Sequence, residues 1–183
     1  TQLRSLVDQT MGEAGLYAIC ALVVIGLSGP LLHRLILGSG SLSRFYQLFS
    51  LAFGAYSVAW IAGWMWLKGD AGSLVGLLAG TALMGSILTT AFEAREQWWK
   101  VVAALFLLNT LGYFVGGWIE APLASFRGGV GFPVSRSAQM MFAKLQWGFW
   151  YGAGLGAGLG VAFYLCQSKA RALLASKEAP LHR

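Results

Sequence analysis

The chain has 183 residues, of which 57% are hydrophobic and only 11% are charged, and its mean hydropathy is +0.64. A soluble domain carries about 25% charged residues, so this composition excludes an ordinary water-soluble fold unless lipid covers the apolar surface. The net charge of +6 does not indicate a nucleic-acid partner, because the basic residues stand mainly at the ends of apolar runs, as the positive-inside bias requires.

Five apolar runs are long enough to cross the hydrocarbon core of a bilayer, which requires about 20 helical residues. We expect an all-α integral membrane protein with a single transmembrane domain over residues 1–183, folded as a compact bundle of about five helices. The N-terminus is expected to form either an interfacial helix or a loosely ordered end, and residues 135–146 are expected to form an amphipathic helix that either lies on the membrane or runs into the last span. The spans are predicted at about 15–37, 46–67, 72–92, 101–119 and 147–165, with a polar connection at 120–146 and a basic tail at 167–183.

A proline interrupts the first predicted span and is followed by two basic side chains. Pro30 removes a backbone donor and should kink or break the helix, which disturbs the carbonyl group of Gly26 one turn earlier. His33 and Arg34 follow the kink. Two interpretations are open: the broken helix binds an anion or a lipid headgroup, or it is a helix end with interfacial cations.

Glycine recurs every fourth residue in several predicted spans. In a soluble helix each interior glycine costs about 1 kcal/mol relative to alanine, whereas in lipid small residues let neighbouring backbones approach closely. The last span has the longest row, and we predict a central glycine-zipper helix with other helices packed on more than one side. The predicted packing positions are Gly72, Gly76, Gly80, Gly112, Gly116, Gly148, Gly152, Gly156 and Gly160, and a second row in the last span holds Gly154, Gly158 and Ala162.

A few polar and aromatic side chains inside the spans are candidates for a ligand site. Asn109 lies about midway along its span, where an amide either bonds to a neighbouring helix or lines a solute path. Tyr56 and Trp60 lie deeper than the tryptophans of the aromatic belts, and they are candidates to line a cavity for a hydrophobic ligand.

The acidic, histidine and cysteine side chains form no catalytic or metal-binding pattern. Asp70 and Glu120 are expected at the outer ends of spans beside Glu13, where the carboxylates form either a cation-attracting ring or separate solvated groups. The spacings resemble no zinc or di-metal site, and only one histidine lies in a span, too few for bis-imidazole haem ligation. The cofactor therefore stays unknown, with no haem or metal motif, and Cys20 and Cys166 are expected to be free thiols.

The thin inventory of acids and bases favours a non-enzymatic protein. The first hypothesis is that the protein binds or transports a small solute or lipid. Its expected partners are membrane lipid and either further copies of the chain or other membrane subunits, with no nucleic acid. The alternatives are a structural or assembly subunit of a larger membrane complex and a small lipid-modifying enzyme.

The distribution of basic residues predicts the orientation in the membrane. The tail and the connections after the first and third spans hold eight lysines and arginines, and the other side holds five. The positive-inside rule then places the C-terminus inside and the N-terminus outside, in a cell inner membrane. The eight are Arg34, Arg44, Arg95, Lys100, Lys169, Arg171, Lys177 and Arg183.

Overall fold

The computed structural model of the chain describes residues 22, 24–30, 32, 33, 36, 41–125 and 135–178. All regular elements in these residues are helical, so the predicted all-α class is confirmed for them. The short stretch 24–30 is helical, but the predicted first span at 15–37 lies mostly outside the described residues. The longer elements are α1 at Ser41–Leu67, α2 at Gly69–Ala91, a 3-10 turn at Arg95–Gln97, α3 at Trp98–Ser125, α4 at Arg136–Cys166 and α5 at Ser168–Glu178.

Four helical segments of the described chain are long and apolar enough to cross a membrane. Each exceeds the roughly 20 residues that a hydrocarbon core requires, and each overlaps one of the second to fifth predicted spans. The predicted total of about five spans is not confirmed, because the described residues supply four. The segments are Ser41–Leu67, Gly69–Ala91, Arg95–Leu123 and Ala138–Cys166.

Two helices extend beyond the predicted ends of their spans. α3 continues through Pro122 to Ser125, because a proline in the last turn removes only one late helical hydrogen bond. α4 begins at its cap Ser135, whose side-chain oxygen accepts a hydrogen bond from the backbone of Ala138 at 3.3 Å. The polar connection predicted at 120–146 is therefore shorter, since residues 136–146 run into the last span as one helix.

The chain divides into two compact units, Thr1–Leu51 and Ala52–Arg183. In the first unit, the hydroxyl group of Tyr46 donates a hydrogen bond to the carbonyl oxygen of Gly26 at 2.9 Å. This is the carbonyl group that Pro30 leaves without its helical donor. The end of the Tyr46 ring also lies directly against Gly29, where an added Cβ atom would displace it. The opening made by the proline is thus filled by a side chain of the same unit.

In the second unit, each long helix packs antiparallel on the next one in the chain. Tyr56 of α1 lies beside Gly80 of α2, and Trp60 lies beside Gly76, so the two helices run in opposite directions. The same reversal relates α2 to α3 and α3 to α4. This up-down arrangement places the α2–α3 connection and the end of α4 at one end of the unit, and the other two connections at the opposite end.

Glycines bring two pairs of helices into backbone contact. A Cβ atom at Gly76 would lie 2.6 Å from the carbonyl oxygen of Trp60, closer than real Cβ atoms approach. In the other pair, a Cβ atom at Gly112 of α3 would meet the backbone of Trp150 and Gly154 in α4. Small residues permit this close approach in lipid. The other predicted positions that contact a neighbouring helix are Gly72, Gly80 and Gly116.

The longest glycine row, in α4, contacts no other helix among the described residues, so the predicted central glycine zipper is not confirmed. A Cβ atom added at any of its four positions would have no atom within 4 Å. The second row contacts α3 instead, through Gly154 and Gly158. Residues two apart on a helix point about 200° apart, so only one of the rows can face α3. The four outward positions are Gly148, Gly152, Gly156 and Gly160.

The second unit buries polar side chains and exposes large apolar ones. Asn109 is 0% exposed, whereas Leu107 and Leu111 on the same helix are 64% and 59% exposed. Thr81 and Thr89 of α2 are also fully buried. Contiguous apolar surface of this kind is unfavourable in water, whereas hydrocarbon covers it at no such cost. The surface therefore favours surroundings of lipid.

Candidate binding site

A hydrogen-bonded cluster of two tyrosines and one asparagine lies inside the second unit. The side-chain amide of Asn109, in α3, donates from Nδ2 to the hydroxyl oxygen of Tyr56, in α1, at 2.8 Å. The same oxygen lies 2.7 Å from the hydroxyl oxygen of Tyr151, in α4. Three helices thus meet at one oxygen atom. We call Tyr56, Asn109 and Tyr151 the central cluster.

Glycines beside the central cluster bring its members within reach of one another. A Cβ atom at Gly80 would lie 2.7 Å from Cδ2 of Tyr56, so only glycine leaves room for this ring beside α2. Gly112 and Gly154 lie against each other and hold α3 close to α4. Asn109 and Tyr151 each precede one of these glycines by nearly one helical turn, and they therefore stand near the same contact face.

A second polar pair, Ser73 of α2 and Tyr113 of α3, stands near the central cluster. Their hydroxyl oxygens are 2.9 Å apart, and Ser73 donates to the carbonyl oxygen of Gly69 at 3.1 Å. Tyr113 can therefore donate to Ser73 while Ser73 donates to the backbone, so that both protons have acceptors. This pair is satisfied by the protein alone.

Aromatic rings pack around both polar groups. Trp147 stacks on Tyr151 with ring centroids 5.2 Å apart, and Tyr113 meets the edge of Trp147 at 5.6 Å. Trp60 contacts Tyr113 in an edge arrangement at 6.3 Å. Aromatic pairs of this kind contribute about 0.5–1.5 kcal/mol each beyond the area that they bury. The rings therefore hold the polar groups in a packed apolar frame.

The central cluster retains hydrogen-bonding capacity that the protein does not use. Oδ1 of Asn109 is buried and has no partner, and Nδ2 uses only one of its two hydrogens. Tyr56 and Tyr151 share a single bond between their hydroxyl groups, which leaves one hydroxyl proton without an acceptor. With the oxygen and nitrogen of the amide exchanged, Tyr56 donates to Oδ1 and Tyr151 donates to Tyr56, so both hydroxyl protons are used, but the outer end of the amide still lacks a partner.

This deficit lies at the middle of a predicted membrane crossing. Asn109 is the central residue of the segment Arg95–Leu123 and is fully buried. An unpaired buried polar group costs roughly 1–3 kcal/mol, and the hydrocarbon core offers no water to reduce that cost. A polar side chain kept at such a position makes the central cluster a candidate site.

The other residues proposed from the sequence lie apart from the central cluster. Asp70 is exposed in the first turn of α2, and Glu120 is half-buried near the end of α3. His33 donates from Nδ1 to a backbone carbonyl of its own helical stretch at 2.9 Å. Arg34 and Glu13 are outside the described residues. An anion site beside the kink and a ring of carboxylates stay predictions.

Tyr56, Trp60 and Asn109 were predicted from the sequence as candidate site residues, whereas Tyr151 and Tyr113 were not. The positions of both tyrosines could have identified them, because a tyrosine in a membrane helix normally lies in the aromatic belts at the two bilayer surfaces. These two tyrosines stand well inside the segments Ala138–Cys166 and Arg95–Leu123. A tyrosine far from either belt has to place its hydroxyl group against another polar group within the bundle.

Among the described residues, histidine, cysteine, aspartate and glutamate form no group of three that could hold a metal ion. Four apolar helices with polar groups buried between them are compatible with a multi-pass membrane protein. Comparison of the chain with family models, curated proteins and solved structures gives no match. A proposal of function therefore has to rest on the geometry of the central cluster.

Proposed function

We propose that the protein is a multi-pass protein of the inner membrane that binds a small polar solute at the central cluster. The observation that supports this function is the amide of Asn109, which is fully buried at the middle of a span and keeps an unpaired end. Membrane transporters bind their substrates near the bilayer midplane between helices. Binding sites for small molecules generally place a few polar groups in an apolar frame.

The hydrogen bonding of the cluster favours a binding role over a purely structural one. A structural polar contact should be satisfied on all sides, as it is between Ser73 and Tyr113. Side-chain hydrogen bonds between membrane helices contribute about 0.6 kcal/mol on average, which is less than the roughly 1–3 kcal/mol cost of an unpaired buried group. A solute that pairs with the free end of Asn109 removes this cost when it binds.

Replacement of Asn109 by leucine tests the proposal, because it removes the unpaired amide without a large change in volume. We expect Asn109→Leu to leave the free energy of unfolding unchanged or to raise it by about 1 kcal/mol, since the cost of the unpaired end exceeds the lost bond to Tyr56. The variant should also fail to retain a bound polar molecule. The measurements are unfolding in dodecyl sulfate and mass spectrometry of small molecules released from the purified protein.

Ser73→Ala is the matched control, because it removes a polar group whose hydrogen bonds are complete. It should lower the free energy of unfolding by about 1 kcal/mol and leave the bound molecule in place. If Asn109→Leu destabilises the protein as much as Ser73→Ala does, and the parent protein releases no polar molecule, then Asn109 only joins helices and the proposal fails.

The outward glycine row of α4 supports a second candidate function, assembly with a further copy of the chain or with a partner membrane subunit. A Cβ atom at any of its four glycines would meet no neighbouring helix of the described chain, and Phe149 beside the row is 65% exposed. Rows of this kind let membrane helices associate closely. Gly152→Leu should then convert an oligomer in mild detergent to a monomer. A parent protein that is already monomeric would argue against self-assembly.

A further inference from the structure

The unused hydrogen-bonding groups of the central cluster define the chemistry of the molecule that they bind. We propose that the occupant is an uncharged molecule whose single polar group both donates and accepts a hydrogen bond, as a hydroxyl group, a primary amide or water does. This inference rests on the proposed binding function and specifies the ligand class of the same site.

The outer end of the Asn109 amide remains without a partner in the cluster. With Oδ1 outward, this oxygen needs a donor, while the second hydrogen of Nδ2 and one tyrosine hydroxyl proton need acceptors. With the nitrogen outward, Tyr56 donates to Oδ1 and Tyr151 to Tyr56, so the amide nitrogen alone needs an acceptor. A guest that both donates and accepts can pair with the amide in either orientation, whereas a guest with only one of these functions pairs in one orientation alone.

The charged residues of α1, α3 and α4 lie away from the cluster along their helices, which favours an uncharged occupant over an ion. In the helices that carry the central cluster, the charged residue closest to it along its own helix is Lys144. It precedes Tyr151 by about 10 Å along the axis of α4 and is exposed. An ion in the cluster would therefore lose its hydration without gaining an opposite charge, which is costly in an apolar interior. An uncharged guest avoids that cost.

The composition of the chain permits a direct test at this site. Asn109 is the only asparagine among the 183 residues, so labelling of asparagine alone reports on the site alone. Protein carrying stable carbon and nitrogen isotopes in its asparagine amide, placed in lipid nanodiscs, gives one side-chain amide signal in nuclear magnetic resonance. The carbon shift responds when Oδ1 accepts a hydrogen bond, and cross-relaxation detects water beside the amide protons.

The probes are glycerol and acetamide as neutral molecules, and ammonium and acetate as ions of similar size. We expect a neutral probe to shift the amide carbon signal saturably and to abolish any cross-relaxation with water, while both ions leave the signal unchanged. Cross-relaxation that neither neutral probe abolishes identifies water as the occupant, which supports the uncharged class but argues against the binding of a solute.

Two tyrosine variants give a matched comparison on α4. Tyr151→Phe should weaken binding of the neutral probe, or of the water, by about tenfold, which corresponds to the loss of one hydrogen bond. Tyr164→Phe removes the same group at an exposed position and should change nothing. A response to ammonium or acetate without one to the neutral probes would overturn the uncharged class but leave a binding site. No water contact and no response to any probe would overturn the binding function as well.

Discussion

The hydroxyl group of Tyr56 connects three helices through a single oxygen atom. It accepts from Asn109 at 2.8 Å and shares a bond of 2.7 Å with Tyr151. Its removal leaves polar groups unpaired on two other helices, whereas removal of the Tyr151 hydroxyl group breaks only one bond. The two tyrosines are therefore unequal in their effect on stability, although both are aromatic residues with the same polar group.

Tyr56→Phe should lower the free energy of unfolding by about 2 kcal/mol and Tyr151→Phe by about 1 kcal/mol, because the first leaves two groups unpaired and the second leaves one. Tyr164→Phe, on the exposed surface of α4, should stay within about 0.5 kcal/mol of the parent protein. Unfolding in dodecyl sulfate measures all three. A larger effect of Tyr151→Phe than of Tyr56→Phe would show that Tyr56 does not hold the cluster together.

Lys68 joins α1 to α2 in a backbone conformation suited to glycine. Its φ is 55° and its ψ is 172°, a combination that costs other residues about 1–3 kcal/mol. Lys68→Gly should raise the free energy of unfolding by about 1 kcal/mol after the greater flexibility of glycine in the unfolded chain is deducted. Lys68→Ala removes the same exposed side chain without relieving the backbone and should bring no gain. If the two variants were equally stable, the backbone at Lys68 would not be strained.

At the scale of elements, α4 shows how two rows of the same residue type differ in role. Gly154 lies against the backbone of α3, whereas Gly156 faces outward. We expect Gly154→Leu to lower the free energy of unfolding by about 1–3 kcal/mol through overpacking and Gly156→Leu to change it by less than about 0.5 kcal/mol. Unfolding of both variants in a detergent that keeps the parent protein monomeric separates this effect from any assembly. Equal losses would mean that both rows pack within the chain.

The helices could be predicted from the sequence where a pattern within one segment of the chain marks them. Apolar runs marked the four described spans because a bilayer crossing requires a length that the sequence displays. The spacing of four also marked Gly76 and Gly112 as packing positions, but it did not distinguish Gly154 from Gly156. That choice depends on which face of α4 meets α3, which the contacts of two helices decide. The end of α3 was misplaced because Pro122 is tolerated in a last turn.

The binding site could be predicted only in part for the same reason. Asn109 was identifiable because an amide inside an apolar run is conspicuous, and Tyr56 because it lies away from the belts. Their pairing with Tyr151 depends on the close approach of α3 and α4 and on the room that Gly80 leaves for a ring. No spacing within one helix encodes contacts among three helices. The unpaired end of the amide became visible only when all of its neighbours were placed.

At the scale of the whole molecule, contacts at the two ends of the second unit show which connections share a side. Lys169 of α5 pairs with Glu96 at 2.8 Å and donates to the carbonyl oxygen of Glu93 at 3.5 Å, which places α5 beside the α2–α3 connection. At the opposite end, Gln139 of α4 donates to the carbonyl oxygen of Leu123 at 2.6 Å. The connection after α2 and the C-terminal helix therefore lie on one side.

The distribution of basic residues predicts which of the two sides faces the cell interior. In a background with Cys20 and Cys166 replaced by serine, we introduce Ala71→Cys and Ala91→Cys near the two ends of α2, and Ser176→Cys in α5. The first two positions are about 30 Å apart along the helix, which matches the hydrocarbon core. Because the sequence predicts more lysines and arginines on the side of α5, we expect that side to be inside. An impermeant maleimide added outside should then label Ala71→Cys alone. Labelling of Ala91→Cys and Ser176→Cys without Ala71→Cys would reverse the orientation, and labelling of both ends of α2 would show that this helix does not cross the membrane.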